Sequence, residues 1–277
     1  MPLLTDRLLA GLVDDAAVFP PGNASLPAAV LGHGRHREHW YAACVGPLLV
    51  PAAAARDLLP LVSTPLDAAL IVRPGGDTGT LSAALDVLAG SPVQVVGLEI
   101  GWSPGWAEFA GPIPLAVEIP RGEDHLRAIT EVHDSHASGV DVHAKFRTGP
   151  TPSWAWPDEA ELAGFLIAMA AAGTPFKLTG GLHHAARGAY DVEGVPEDNH
   201  GVLNVLLATH AALDGADIPE VAGLLAVRDG EALAALVGQW TDPTTTRVRQ
   251  ALRSFGCCTV TDPIEELHAL GLLDKDA

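Results

Sequence analysis

Short runs of Val, Ile and Leu recur along the chain, each bounded by Pro or Gly and each followed by an Ala- and Leu-rich stretch. Brief continuous apolar runs fit strands buried on both faces, and longer stretches with apolar residues three or four apart fit covering helices. The pattern predicts strands near residues 16–20, 47–51, 68–73, 93–100, 113–119, 140–146, 175–179 and 257–261. It predicts helices over 25–40, 53–61, 80–89, 124–138, 157–172 and 202–213. Strand–helix–strand repetition implies parallel pairing through right-handed crossovers. A closed barrel and an open doubly wound sheet both satisfy that rule. The open sheet usually carries a Gly-rich phosphate loop after its first strand, and no GxGxxG or Walker pattern occurs. Eight strands therefore select an α/β fold of the (β/α)8 TIM-barrel type, for which about 250 residues in one unit is ordinary. The chain, 1–277, is expected to form one barrel domain, and the helical segment 217–254 is read as extra helices inserted before the last strand.

Composition narrows the functional classes. The chain is 48% hydrophobic and 18% charged, as expected of a globular protein. Asp and Glu number 34 against 16 Lys and Arg, a formal charge of -18. Such a field repels phosphate backbones and anionic lipid, so neither nucleic acid nor a membrane surface is an expected partner. A small anionic substrate would need a local cluster of positive charge. Cys44, Cys257 and Cys258 fit a reduced chain better than a disulfide framework. The start, MPLLTDRLLAGLVDD, lacks the basic end and long apolar core of a signal peptide, and no stretch approaches the roughly 18 apolar residues of a membrane span. A cytoplasmic location is expected.

Lysine is scarce: Lys145, Lys177 and Lys275 only. The first two fall inside predicted strands, in DVHAKFRTG and TPFKLTGG, each just before a Gly-containing turn. An ammonium in an apolar strand is costly unless paired or working. The bland alternative is an ion pair with a barrel carboxylate, but the end of a barrel strand is where catalytic groups sit. Period-two alternation places Asp141, His143 and Arg147 on the same side as Lys145, and Thr179 with Lys177. Preceding strands offer Arg73, Glu99 and Glu118 near their C-terminal ends. Burying that many charges for stability alone is rarely favourable. Two neighbouring lysines have a use: the second cation disfavours protonation of the first, and a neutral amine attacks a carbonyl to form an imine. Glu99 or Glu118 would then shuttle protons.

DVHAKFRTG, followed 32 positions after Lys145 by FKLTGG, resembles the sixth- and seventh-strand motifs of class I aldolases of the deoxyribose-phosphate aldolase type. The resemblance implies that Lys145 forms the Schiff base and Lys177 perturbs its pKa. LIVRPGG stands where that family has its third strand, and Glu99 near its strand-four aspartate. FGCCT resembles its last-strand F-G-A-S-S, which places Gly180, Gly181, Cys258 and Thr259 at phosphate-binding positions. Glu99 stands for the family's Asp, Phe146 and Arg147 follow the lysine where small residues are usual, and Cys258 replaces a serine.

Histidines offer a competing chemistry. GGLHHAARGAYDVEGVPEDNHG brings His183, His184 and His200 near the predicted catalytic face, where with His143 and Glu118 they would hold a divalent metal for a hydrolase or isomerase. Against this, adjacent histidines on extended chain point opposite ways, and HExxH and CxxC spacings are missing. A substrate-contacting His183 is preferred, with no cofactor. His33, His36 and His39 are read as a solvated helix face. Cys257 and Cys258 are read as buried thiols, because no histidine base can be assigned to them. PSWAWPDE, with Trp154 and Trp156, is read as a lid or as the contact of a homo-oligomer. The expectation is a lyase acting on a small, possibly anionic, aldehyde or ketone, with Lys145, Lys177, Glu99 and Glu118 catalytic and Arg73, His143, Arg147, Thr179, Gly180, Gly181, His183 and Thr259 binding substrate. A metal enzyme and a non-catalytic binding barrel are the alternatives.

Overall fold

The computed structural model describes residues 4–150, 156–192 and 194–275. Eight parallel strands close on themselves: β1 (Val13–Asp15), β2 (Val45–Pro51), β3 (Leu66–Ile71), β4 (Val93–Gly101), β5 (Leu115–Glu118), β6 (Val142–Arg147), β7 (Phe176–Thr179) and β10 (Leu252–Cys257). Each pairs with its neighbour in chain order, and β10 joins β7 to β1. Between β7 and β10 lies an antiparallel hairpin of β8 (Gly188–Val192) and β9 (Val195–Asn199), which the sequence pattern did not predict. The TIM barrel is thus present as expected.

Helices cover the outside. They are α1 (Leu4–Leu9), α2 (Leu26–Arg37), α3 (Ala55–Leu58), α4 (Gly79–Leu88), α5 (His125–Ala137), α6 (Glu159–Ala172) and α7 (Val202–Leu213). The inserted segment then supplies α8 (Ile218–Ala226), α9 (Gly230–Val237) and α10 (Asp242–Ala251), and α11 (Thr261–Ala269) follows β10. Local chemistry sets several boundaries. Asp158, Asp217 and Asp229 accept bonds from backbone N–H groups three residues on, capping α6, α8 and α9. Gly173, at φ 63°, takes the left-handed position that ends α6.

Two strand predictions are corrected. The first strand is Val13–Asp15, not 16–20, because the chain turns immediately afterwards through Phe19, Pro20 and Pro21. The last is Leu252–Cys257, not 257–261, and Thr261 already opens a helix. The helical reading of 217–254 ran too far: α10 stops at Ala251.

The larger core lies between strands and helices. Phe146 points outward from β6 and stacks on Phe165 of α6 with ring centroids 4.5 Å apart; Phe165 also meets Phe176 edge-on at 5.5 Å. A smaller apolar cluster, Ala16, Leu49, Ala69 and Ile71 with Phe19 against it, fills one side of the barrel interior. The opposite side, lined by β4 to β7, is polar. Interior layers of a barrel are usually apolar and branched, so this departure marks the site.

Phe165→Ala removes the ring that joins β6 and β7 to the helical layer, at a position only 1% exposed. A loss of about 3–5 kcal/mol is expected, read from the denaturation midpoint in urea. A loss below about 1 kcal/mol would show that the aromatic triplet does not tie the layers together.

Candidate functional site

Inward and outward positions alternate along β6, so the strand that turns Phe146 out to α6 turns Lys145 and Arg147 in. Lys145 is paired in register with Glu118 of β5 on one side and with Lys177 of β7 on the other. Six charged side chains form one chain across the interior. Lys177 Nζ donates to Asp14 Oδ2 at 2.6 Å and to Glu99 Oε1. Lys145 Nζ lies 2.8 Å from Glu99 Oε2 and 3.0 Å from Glu118 Oε2, and Arg147 Nε donates to Glu118 Oε1 at 3.1 Å. Ser254 of β10 donates to Asp14 Oδ2 at 2.7 Å and closes the far end. Three cations face three carboxylates, which is how a barrel keeps such groups dry.

Asp14 and Ser254 are members that sequence reading missed. Their signal was available: DD inside an otherwise apolar LVDDAAVF, and a small polar residue between Leu252 and Phe255. Gly46 of β2 is part of the same arrangement, since a Cβ there would lie 2.1 Å from Asp14 Oδ1. The second aspartate, Asp15, points the other way and accepts from buried His33 Nδ1 at 3.0 Å. This corrects the reading of His33 as solvated.

The network is asymmetric. Lys177 makes two aligned hydrogen bonds and stands behind the others. Lys145 touches two carboxylates, yet Glu99 Oε2 and Glu118 Oε2 make no aligned hydrogen bond among the described residues. Lys145 and Glu118 also line a cavity of about 580 Å³ at the C-terminal mouth, whereas Lys177 and Glu99 line a second cavity, of about 260 Å³, at the N-terminal end. Burial would lower the Lys177 pKa, but Asp14 and Glu99 overcome it and raise the value above that of an ordinary lysine. Burial would raise Glu99, but the two lysines override it and hold the carboxyl at about 2. Glu118 is lowered for the same reason, by Lys145 and Arg147. The two ammonium groups converge, one on each oxygen of Glu99, and that carboxylate offsets the repulsion expected between them.

The other expected residues separate into groups. Arg147, Thr179, Gly180, His183 and Cys258 line the upper cavity, and Arg73 sits at its exposed rim with its guanidinium 5.3 Å from the Phe19 ring. Gly181, at φ 78°, is not in the wall but under Trp156, whose ring leaves no room for a Cβ. Thr259 is exposed, beside Cys258 rather than in the wall. His143 faces the lower cavity, so it is not placed to bind substrate above. Its burial, with Lys177 nearby, lowers its pKa to about 3 and keeps the ring neutral. Trp154, half of the expected lid, lies outside the described residues.

The metal reading loses its ligand set. His184 bonds Glu266 at 2.7 Å and stacks on Tyr190, while His200 bonds the Pro157 carbonyl at 2.8 Å and Arg187 at 3.2 Å. With His143 below and His183 above, these side chains hold the hairpin and barrel in separate places, and no group of three potential ligands converges among the described residues. His183 does lie 3.5 Å from Cys257 Sγ and 3.9 Å from Cys258 Sγ, a pairing the sequence did not reveal. Burial raises both thiols, so neither is a ready thiolate.

Together these features define a parallel eight-stranded barrel with a buried charge network under a C-terminal cavity, the end where such barrels carry chemistry. No family model matches the chain, and no curated protein matches it. Among solved structures it is similar to a Xanthomonas albilineans dihydropteroate synthase in complex with indole-2-carboxylic acid and 6-chloroguanine, at 13% identity over 95% of this chain and 93% of that one, with a TM-score of 0.39. A likeness that faint adds nothing to the strand pairing. Among the described residues no helix is long and apolar enough to cross a membrane.

Glu99→Gln leaves two buried ammonium groups with one carboxylate fewer. A loss of about 3–5 kcal/mol is expected from denaturant titration at neutral pH. Because its folded pKa lies below the ordinary 4.5, Glu99 stabilises the fold above that pH, and the contribution disappears as pH falls toward about 2. The variant should therefore lose less of its remaining stability than the parent between pH 4.5 and 2. Equal slopes in that window would mean that Glu99 is not the titrating compensator.

Proposed function

We propose that this protein is a lysine-imine enzyme of the aldolase kind, making or breaking a carbon–carbon bond next to the carbonyl of a small aldehyde or ketone. The observation that carries the reading is the asymmetry of the lysines. Lys145 lines the upper cavity between Glu99 and Glu118, while Lys177 stands behind it on Asp14 and Glu99, facing the lower one. The aldolase-type motifs around the two lysines point the same way.

The chemistry follows from the neighbours. Lys145 passes a proton to Glu118, 3.0 Å away, and its free amine adds to the substrate carbonyl. Loss of water gives the imine; protonated, it draws in the electron pair of the breaking carbon–carbon bond. Glu118 then carries the proton to or from the neighbouring carbon. Lys177, with Asp14 and Glu99, keeps the amine in place and its field fixed, a preorganised environment that need not rearrange during reaction.

Borohydride reduction in the presence of short aldehydes and ketones should attach the reduced substrate to Lys145, located by peptide mass mapping. Lys145→Met should abolish the adduct while keeping a cooperative unfolding transition. Absence of any adduct in the parent protein, or attachment at another lysine, would sink the reading.

A further inference from the structure

The upper cavity is lined by Arg73, Arg121, Lys145 and Arg147 against a single carboxylate, Glu118, in a chain whose formal charge is -18. Positive charge has been gathered at this one place against the bias of the whole molecule, which is the arrangement an anionic ligand needs. Two of the arginines have other partners or positions: Arg121 pairs with Glu161, and Arg73 lies exposed at the rim. Arg147 differs. It commits only Nε, to Glu118, and its two Nη groups make no hydrogen bond or ion pair among the described residues although the side chain lines the cavity. Nη1 lies toward Gly180, where a Cβ would come within 3.5 Å of it.

Glu118 measures the spacing between the two cations. One oxygen contacts Lys145 Nζ at 3.0 Å and the other contacts Arg147 Nε at 3.1 Å, so a single carboxylate spans them. Their Cα atoms are two strand residues apart on one face, about 6.6 Å. A substrate that presents an anion to Arg147 and a carbonyl carbon to Lys145 must therefore carry the two groups next to each other. A 2-oxo acid does, with its ketone one bond from its carboxylate. A phosphate ester carries its charge several bonds further away, and a planar fork suits a carboxylate.

The geometry points to a 2-oxo carboxylate as the carbonyl substrate, with its carboxylate held by Arg147 beside the reactive Lys145; this rests on the lysine-imine reading. Binding also prepares the amine. The incoming carboxylate takes the Nη groups and shares the Arg147 charge with Glu118 on Nε, so Glu118 accepts the ammonium proton more readily. The Lys145 nitrogen then bonds to C2 as the carbonyl π bond opens, and the carbonyl oxygen leaves as water. The product is the imine, and no redox partner is consumed.

The test compares two ligands that share the 2-oxo group, one anionic and one neutral. Borohydride trapping on the parent protein should be roughly 10- to 100-fold more efficient at limiting concentration with pyruvate than with methyl pyruvate, which keeps the ketone and loses the anion. Arg147→Gln should remove that preference: the ratio of pyruvate to methyl pyruvate trapping in the variant should fall to about one, whatever the absolute level of either. Equal trapping of the two in the parent overturns the inference and leaves the imine reading standing. Oxamate, a carboxylate that forms no imine, separates the other failure: it should raise the melting temperature of the parent and not of Arg147→Gln. Stabilisation by oxamate with no trapping by any carbonyl compound would keep carboxylate recognition at Arg147 but reject the 2-oxo substrate together with the imine. No stabilisation by oxamate, or stabilisation only by inorganic phosphate, overturns the inference.

Discussion

Two ammonium groups inside a closed barrel repel each other across a medium that screens poorly, and Glu99 is what allows both to remain. Its oxygens take one lysine each, so a single carboxylate sets the distance between β6 and β7 side chains and neutralises half of their charge. Asp14 supplies the balance at one end and Glu118 at the other. Because the three carboxylates come from β1, β4 and β5, the network can form only after the barrel has closed. The charges then depend on the fold, and the fold on charges that would be intolerable singly.

The same alternation explains which parts of this were legible beforehand. Lys145 and Lys177 stand out because lysine is rare here and each interrupts an apolar run. Glu99 and Glu118 follow from period two on strands whose outward residues are plainly apolar. Asp14 does not, because β1 is three residues long and its DD resembles the start of a turn more than a strand. Ser254 was hidden by the helical spacing of α10, because no proline or glycine separates the end of that helix at Ala251 from Ser254. The pairing of His183 with Cys257 and Cys258 joins the ends of β7 and β10, more than seventy residues apart in the chain; no local pattern encodes such a contact. His33 looked solvated because its neighbours His36, Arg35 and Arg37 are polar, whereas a partner on another element, Asp15, sets its burial.

The interior is divided. Apolar Ala16, Leu49, Ala69 and Ile71 occupy the side of β1 to β3, and the ion chain occupies the other. That division accounts for the different fates of the two lysines. Lys177 lies deep enough to reach Asp14 across β10, and both its partners hold it by aligned bonds. Lys145 is nearer the strand ends and is drawn between Glu99 and Glu118 without satisfying either geometrically. The lysine nearer the upper cavity is thus the one shared between Glu99 and Glu118, and the deeper one is fixed by Asp14 and Glu99.

A cavity lies at each end of the barrel, and the ion chain forms the partition between them. Lys145 and Glu118 face the upper one, while Lys177, Glu99 and Asp14 face the lower. An apolar partition would seal the barrel more cheaply but would carry no information between its faces. Here Glu99 belongs to both sides, touching the upper lysine with one oxygen and the lower with the other. Any event above that alters the charge on Lys145 is felt at once by Glu99 and hence by Lys177. Conversely, Lys145 and Lys177 together hold Glu99 ionised against its burial. A hydrophobic floor would leave the Lys145 side chain with no fixed charge beneath it. The buried charges below the cavity thus give the amine above a constant field, which explains why the polar floor extends well beyond the residues that can touch a substrate.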